Sequence, residues 1–228
     1  MKKPKKSRQN GFSLIEMTIA MGVTLVLLGL TATLFASALS TRARESRRAD
    51  ALTAARAAIS VMSREIANSG YGIAVDDGGY IPVNGIVLAD SSKNRLHFRA
   101  NTENRNGCTR DRGEDVTYFF DNDTQSIVRH ERFSSDGANP CGAAAEATET
   151  SVVVNRISNV TFKYFNYSGG SSTPLEPSGT DNPTADTGRV RISVEVKLEE
   201  VTGQPKNQVI TFTSDVTLRN SKYMLKQY

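Results

Sequence analysis

The hydrophobic pattern changes its period twice along this chain, and the first stretch is apolar without interruption. Residues 17–41 carry no charged side chain and are mostly aliphatic. As a helix they would rise about 38 Å, which exceeds the ~30 Å hydrocarbon core of a bilayer. A secretory signal peptide has an apolar region of only about 7–15 residues, so this run is too long for one. The pattern predicts a membrane-spanning helix, and an ordinary single-span anchor remains an open alternative.

The second stretch, residues 42–70, has the period of an amphipathic helix. Its apolar side chains recur at spacings of three and four, at Leu52, Ala55, Ile59, Met62 and Ile66. We expect this stretch to continue the first helix and to end near Gly70. A coiled-coil stalk is the alternative, but a stripe of barely two heptads favours packing on a sheet.

From residue 71 onward apolar and polar residues alternate, which is typical of half-buried strands. The pattern predicts strands at 96–100, 116–120, 127–133, 152–154, 160–167, 190–198 and 209–218, with a hairpin turn at 121–123. Residues 168–188 are rich in Gly, Ser, Thr and Pro and are expected to form an exposed loop. The predicted fold is therefore α+β, with one long N-terminal helix packed on an antiparallel sheet in a β-rich domain at 71–228.

The net charge of +4 does not indicate nucleic-acid binding, because of where the charge lies. Five basic residues precede position 12, at Lys2, Lys3, Lys5, Lys6 and Arg8. The remainder has 23 basic and 24 acidic residues, whereas a phosphate-binding domain needs clustered positive charge. Arg42, Arg44, Arg47 and Arg48 follow the apolar run. The balance of five against four favours a cytoplasmic N-terminus only weakly.

Glu16 does not fit a plain membrane anchor. A carboxylate at the edge of a membrane segment costs a few kcal/mol and usually marks a functional residue with a partner. No nearby side chain in the apolar run is basic. If the chain were cut between Gly11 and Phe12, the new ammonium of Phe12 could pair with Glu16 of a neighbouring copy. In its own chain Glu16 lies near the positive end of the helix dipole.

These residues resemble the start of type IV prepilins and type II secretion pseudopilins. The shared pattern is a short basic leader, Gly11, an apolar or aromatic residue at Phe12, and Glu16 at the fifth position of the mature chain. Residues 62–72 and 214–220 more weakly resemble PilW-type minor pilins and GspJ-type pseudopilins. Many major pilins have a proline deeper in this helix, and here none occurs between Pro4 and Pro82.

The resemblance implies that residues 1–11 are removed by a prepilin peptidase, which also N-methylates Phe12. It implies that 12–41 is the transmembrane and assembly helix, with Glu16 contacting another pilin subunit. The expected location is the inner membrane, single-pass, with a cytoplasmic N-terminus and a periplasmic C-terminal domain, and then a filament. The expected partners are other pilins, the inner-membrane assembly platform and lipid.

The cysteines and histidines offer little for catalysis. Cys108 and Cys141 are not at metal-ligand spacing; if the domain is exported a disulfide is favoured, with two free thiols as the alternative. His97 and His130 are expected to be surface or cross-strand side chains. Calcium ligation at Asp121–Asp123 or Asp76–Asp77 lacks a full ligand series. Without a phosphate loop, nucleophile elbow or metal motif, we expect no enzyme, no cofactor and no small-molecule substrate.

Three functions remain from the sequence alone. The first is a minor pilin that initiates assembly or joins a tip complex of a type IV pilus. The second is a minor pseudopilin of a type II secretion system. The third is a DNA-binding pilin of an uptake system, for which Arg105, Arg110 and Arg112 around Cys108 could form a small basic patch, although the near-neutral mature charge disfavours it.

Overall fold

The computed structural model describes residues 12–73, 82–103, 108–136, 141, 146–168, 171–198 and 208–225. The chain divides into two compact units, Met1–Arg47 and Arg48–Tyr228. One helix, α1, runs from Leu14 to Ala67 and contributes to both.

The described part of the first unit is helix with its apolar side chains outward. Each residue from 12 to 43 is exposed, including Phe12 at 92% and Leu14 at 84%. By length and composition, α1 is apolar enough to cross a membrane. None of its apolar 18-residue stretch is buried within the structure. Apolar surface on this scale is stable only when lipid or other protein covers it.

Besides the second half of α1, the described residues of the second unit form seven strands and a short C-terminal helix. The strands are β1 Arg95–Arg99, β2 Asp115–Asp121, β3 Ser126–Ser134, β4 Glu146–Asn155, β5 Asn159–Asn166, β6 Thr187–Lys197 and β7 Val209–Thr217, followed by α2 Lys222–Leu225. They form two antiparallel sheets, β1-β2-β3-β4 and β5-β6-β7. The predicted α+β fold with a long helix on antiparallel β-structure is confirmed, with two sheets in place of the single sheet expected.

Alternation explains most of these strands, and β4 shows its limit. In β6 the apolar side chains Val190, Ile192, Val194 and Val196 are buried while their neighbours are partly exposed. The predicted strand 152–154 is wrong in extent, because β4 begins six residues earlier at Glu146. Apart from Ala147, which is partly buried, those extra residues are polar and exposed, and they are strand because they pair with β3 from Arg129 to Ser134.

The core lies between the second half of α1 and both sheets. Ala55, Ala58, Met62 and Ile66 form the buried stripe of the helix. They belong to one cluster with side chains of the first sheet, such as Leu96, and of the second sheet, such as Phe162. At about 25 cal/mol per Å² of buried apolar surface, this cluster is the main stabilising contribution to the unit.

Side-chain hydrogen bonds also fix the orientation of α1 on the first sheet. The Tyr118 hydroxyl on β2 donates to Glu65 Oε2 on α1 (2.8 Å), and Arg129 Nε on β3 donates to the same oxygen (3.1 Å). Burial together with the adjacent Glu65 charge raises the pKa of Tyr118, so it remains a donor. The bonds lock α1 against the first sheet.

The two sheets are joined along a seam between β5 and the segment before β1. The backbone N–H of Phe162 donates to the carbonyl oxygen of Lys93 (2.7 Å). The Tyr164 hydroxyl donates to the carbonyl oxygens of Ser92 (2.9 Å) and Arg95 (3.2 Å). Both sheets therefore fold as parts of one domain.

The chain leaves α1 through a close approach of two glycines. Gly70 has φ +81° and Gly85 has φ +74°, and a Cβ on Gly70 would lie 2.1 Å from the carbonyl oxygen of Val83. Helix α1 itself ends at Ala67, three residues before the expected cap. Gly70 is required by this backbone contact as well as by its conformation.

The loop after β5 is mostly exposed yet tied to the domain. Thr180 and Tyr164 exchange backbone hydrogen bonds of 2.8 and 2.9 Å. The backbone N–H of Leu175 donates to the carbonyl oxygen of Asn166 (2.8 Å), although the Leu175 side chain is 60% exposed.

Candidate functional site at the helix N-terminus

The first turn of α1 places Glu16 where it can cap its own helix. Ser13 precedes the first helical residue, Leu14, and Glu16 is the third residue of the helix. The backbone N–H of Ser13 donates to Glu16 Oε2 (3.1 Å). This is one half of the capping-box arrangement, in which an acid at the third position satisfies the N-cap amide.

The capping bond leaves Glu16 able to accept further hydrogen bonds. An ionised carboxylate offers about four lone-pair sites, and Ser13 occupies one of them. Glu16 is exposed, among the apolar side chains of Phe12, Leu14 and Ile15. A cation from another molecule could therefore reach a carboxylate that its own chain has already oriented.

The sequence-predicted residues of this site are only partly described. Phe12 and Glu16 lie within the described residues, whereas Gly11 and the basic leader lie outside them. The capping role was missed at the sequence level, although Ser13-Leu-Ile-Glu16 is a capping-box signature in its own right.

His97 is the predicted residue whose surroundings differ most from expectation. It is a cross-strand residue, but the surface alternative is wrong, since it is only 2% exposed. Its Nδ1 lies 2.9 Å from Asp90 Oδ2, and its Nε2 lies 2.6 Å from Asp115 Oδ1. Both ring nitrogens are thus engaged by carboxylates within the fold, and the arrangement binds β1 to β2 and to the short 3-10 helix Leu88–Asp90.

His130 and Arg112, one of the three arginines of the predicted patch, also have structural roles. His130 Nδ1 lies 2.9 Å from Thr150 Oγ1 on β4, an exposed cross-strand contact as predicted. Arg112 pairs with Glu149 (2.7 Å) and stacks 4.3 Å from the centroid of Phe133. Arg105 lies outside the described residues. Because Arg112 is held by an acid and a ring, it contributes little to a phosphate-binding patch.

Cys108 and Cys141 form a disulfide, with Cα atoms 5.7 Å apart and a sequence separation of 33. The loop that contains Cys108 is also held by Glu114, whose side chain accepts bonds from the backbone N–H groups of Glu103 and Asp111 (both 3.0 Å). Burial raises the pKa of Glu114, and the two backbone bonds only partly oppose this.

The acidic turns considered for calcium show no site in the part of the chain that the structure describes. Asp121 accepts from the backbone of Asp123 (3.1 Å) and from the Thr124 hydroxyl (2.6 Å), which is a turn-stabilising pattern. No group of three or more His, Cys, Asp or Glu side chains suited to a metal occurs among the described residues. Asp76 and Asp77 lie outside them.

Comparison with known proteins assigns a class to the N-terminal segment alone. Residues 6–32 match the family model described as the prokaryotic N-terminal methylation motif. No curated protein and no solved structure matches the chain. The match covers the end of the leader, Glu16 and most of the apolar run, and it favours a structural subunit over an enzyme. The N-terminal segment thus carries a class III leader of the type IV pilin kind followed by an N-terminal methylation motif, and with the long apolar helix this match suggests membrane anchoring.

Proposed function

We propose that this protein is a minor pilin of a type IV pilus, acting in assembly, initiation or the tip complex. In this proposal a prepilin peptidase cleaves between Gly11 and Phe12 and methylates the new N-terminus. Residues 12–41 anchor the mature chain in the inner membrane and later pack among the helices of other pilins. The domain at 71–228 faces the periplasm and then the surface of the filament.

The observation that carries the proposal is the environment of Glu16. It is an acid in the first turn of an exposed apolar helix, where it accepts a hydrogen bond from the Ser13 backbone N–H, and residues 12–41 contain no cationic side chain. Cleavage before Phe12 would create an ammonium group four residues away in sequence. In the low dielectric of lipid or of a helix bundle, that ammonium on a neighbouring subunit attracts Glu16 strongly and offsets the cost of burying it.

A minor pseudopilin of a type II secretion system is the second candidate. It shares the N-terminal methylation motif, so the same residues support it equally. The two candidates are distinguished by whether the native protein is found in a type IV pilus or in the pseudopilus of a secretion system. A DNA-binding pilin is disfavoured, because Arg112 is paired with Glu149.

Two substitutions at Glu16 separate its charge from its capping role. Glu16→Gln keeps an oxygen that can accept the Ser13 amide but removes the charge, whereas Glu16→Ala removes both. We expect both variants to insert into the membrane and to enter filaments at least about tenfold less than wild type. Immunoblotting of sheared filaments and of membrane fractions measures the two steps.

Glu45→Gln is the matched control, because it makes the same chemical change on the same helix beyond the apolar run. It should enter filaments normally. Normal incorporation of Glu16→Gln would refute charge pairing and leave only the capping role.

A further inference from the structure

The two sheets have four edge strands, and two of these edges are covered by other segments of the chain. Beside β1, the backbone N–H of Arg99 donates to the carbonyl oxygen of Gly85 (2.8 Å). Beside β5, the backbone N–H of Tyr164 donates to the carbonyl oxygen of Thr180 (2.9 Å). Among the residues that the structure describes, no further segment bonds to the outer backbone of β4 or β7. We call β4 and β7 the open edges, and such an edge is a template for pairing with another chain.

The open edges lie at opposite ends of the β-structure and suit each other in length. The sheets meet at the seam between β5 and the segment before β1, so β4 and β7 are the outermost strands. β4 has ten residues and β7 has nine. Neither contains lysine or proline, which commonly protect an edge from pairing. The straight part of β4, Glu146–Val152, precedes the register shift opposite residues 127 and 128.

Strand β7 runs in the same direction as α1. The hydroxyl oxygen of Ser214 lies 3.4 Å from that of Ser63. Farther along both elements, the backbone N–H of Arg219 donates to the carbonyl oxygen of Ala67 (3.2 Å). Residue numbers thus increase together along the strand and along the helix.

Strand β4 runs in the opposite direction. Lys93, just before β1, accepts a hydrogen bond from Phe162, which lies in the same row of paired residues as Ser214. The start of β1 is therefore level with the first of the two α1 contacts just described. Arg99, at the end of β1, accepts from the backbone N–H of Gly70, beyond the end of α1 (2.9 Å). β1 thus follows the direction of α1, and three successive antiparallel pairings reverse the direction for β4.

These directions make the open edges complementary between copies. When two copies hold α1 in the same direction, β4 of one copy is antiparallel to β7 of the other. Two β7 strands, or two β4 strands, would instead be parallel in that orientation, and parallel pairing is slightly less stable per residue. Because the two edges differ, the contact between them is heterologous and repeats along a row of subunits.

The outward backbone groups of β7 belong to residues whose side chains face away from α1. Leu218, just after β7, donates to the carbonyl oxygen of Gly188 (2.9 Å), so the even-numbered residues of β7 bond to β6. The odd-numbered residues, such as Thr213, direct their N–H and C=O groups outward. Ser214 faces α1, so the side chain of Thr213 lies on the other face of the sheet.

The backbone of β4 alternates in the same way. The N–H of Ser134 donates to the carbonyl oxygen of Arg110 (2.8 Å), in the segment before β2, and therefore not to its β4 partner Glu146. Glu146 and every second residue after it, up to residue 152, consequently direct their N–H and C=O groups outward.

The side chains of these β4 residues also face away from α1. Ser151 is paired with Arg129, whose Nε donates to Glu65 of α1 (3.1 Å). Ser151 is thus on the helix side of the sheet and Thr150 is on the other face. Joining the two open edges therefore places both α1 helices on the same side of one continuous sheet.

Charge selects one register for this pairing. Two registers match the whole straight part of β4 to β7 with their outward backbone groups opposite each other. One places Glu146 opposite Asp215, and like charges directly opposite destabilise a sheet. Both acids keep arginine partners in their own chains, yet the two carboxylates would still be adjacent. The other register places Glu146 opposite Thr217 and Thr150 opposite Thr213, and it leaves no like charges opposite each other.

We propose that the straight part of β4 pairs antiparallel with β7 of a second copy of this chain and joins the two copies into one sheet. The inference rests on the proposed function only in requiring that neighbouring copies hold α1 in the same direction, as in one membrane or one filament. It adds to the helix contacts of the first unit a contact between the domains of successive subunits.

Cross-linking between two tagged forms of the full chain tests the pairing in the native host. One form carries Thr150→Cys and the other carries Thr213→Cys. In the selected register these residues are a hydrogen-bonded pair with Cα atoms about 5.5 Å apart, which suits a disulfide. Cys108 and Cys141 already form a disulfide, so the introduced thiols are the reactive ones. After mild oxidation of membranes and sheared filaments, we expect at least about tenfold more heterodimer than either homodimer.

Two matched variants check that the cross-link reports an ordered sheet. Ser151→Cys moves the thiol of the first form by one residue to the opposite face, and it should lower the heterodimer yield at least about fivefold. Thr211→Pro in the second form removes one outward N–H without removing a bond to β6, and it should have a similar effect. Thr211→Val keeps that N–H and should leave the yield unchanged.

Filament incorporation of both tagged forms is measured in the same cells. Heterodimer no more abundant than the homodimers, or unaffected by Ser151→Cys, would overturn the pairing; with normal incorporation it would leave the proposed function intact. A strong heterodimer in membranes from cells whose filaments lack the protein would support the pairing and count against the proposed function.

Discussion

Asp115 shows at the scale of a single residue how this domain holds a buried charge. It accepts hydrogen bonds from His97 (2.6 Å), Arg99 (2.8 Å) and Arg132 (3.2 Å). Burial alone would raise the pKa of Asp115, but the His97 hydrogen bond and the two arginine charges outweigh burial and lower it. Strands β1, β2 and β3 therefore meet at one carboxylate.

We predict that Asp115→Asn destabilises the domain by about 3 kcal/mol, because it leaves two arginines facing an uncharged amide in a buried site. Thermal unfolding of the mature chain in mild detergent, followed by near-ultraviolet circular dichroism, measures the effect. Asp123→Asn, in the exposed turn after β2, is the control and should change stability little.

The neighbouring acid Glu114 should respond to pH in the opposite sense. The folded pKa of Asp115 lies below its unfolded value, so its contribution is present above about pH 4 and is lost as the pH falls. Burial raises the folded pKa of Glu114, so its contribution is greatest at low pH and is lost as the pH rises through that pKa.

We therefore expect the free energy of unfolding of Asp115→Asn to fall less steeply than that of wild type as the pH is lowered. For Glu114→Gln it should fall less steeply as the pH rises through the folded pKa of Glu114. Denaturant unfolding at a series of pH values checks both. Parallel curves for Asp115→Asn and wild type below pH 4 would contradict the assignment to Asp115.

At the scale of elements, Gly70 determines how α1 joins the sheets. Gly70→Ala should cost clearly more than Gly113→Ala, although their φ angles, +81° and +80°, are nearly equal. At Gly113 the nearest atom to an added Cβ is Arg129 Nη2 at 3.8 Å, so only the conformational cost of about 1–2 kcal/mol applies. At Gly70 the Val83 carbonyl lies 2.1 Å away and the backbone must move.

Denaturant titration of both variants measures this difference. Equal losses for the two alanine variants would show that the contact between residue 70 and residue 83 relaxes without cost.

The disulfide links the loop after β1 to the loop after β3. Replacing Cys108 and Cys141 by serine should lower stability by about 3–4 kcal/mol, since a link across 33 residues restricts the unfolded chain. Comparison of melting temperatures with and without reductant checks this on the native sequence. An unchanged melting temperature after complete reduction would contradict it.

Local patterns predicted the elements better than their arrangement. Alternation located β6, whose side chains face core and solvent in turn, but missed the polar start of β4, which depends on pairing with β3. The surroundings of His97 could not be read locally, because Asp115 becomes its diagonal neighbour only through the register His97↔Thr117. The bond from Ser13 to Glu16 was readable, since both residues lie within one helical turn.

At the scale of the whole molecule, the proposed assembly depends on the removal of residues 1–11. We predict that the mature protein begins at Phe12 and carries one methyl group on its amino nitrogen. Intact-mass analysis of protein from its native host measures both. A mass that includes the leader would eliminate the ammonium group on which pairing with Glu16 depends.

Contacts between the end of α1 and the segment after β7 bear on the timing of the proposed export. The backbone N–H of Arg219, just after β7, donates to the carbonyl oxygen of Ala67 at the end of α1 (3.2 Å), and Leu218 donates to Gly188 (2.9 Å) and is buried. The segment after β7 thus completes the packing that the end of α1 begins. If the domain crosses the membrane as proposed, it does so before this packing is complete, and it cannot finish folding until residue 219 has emerged.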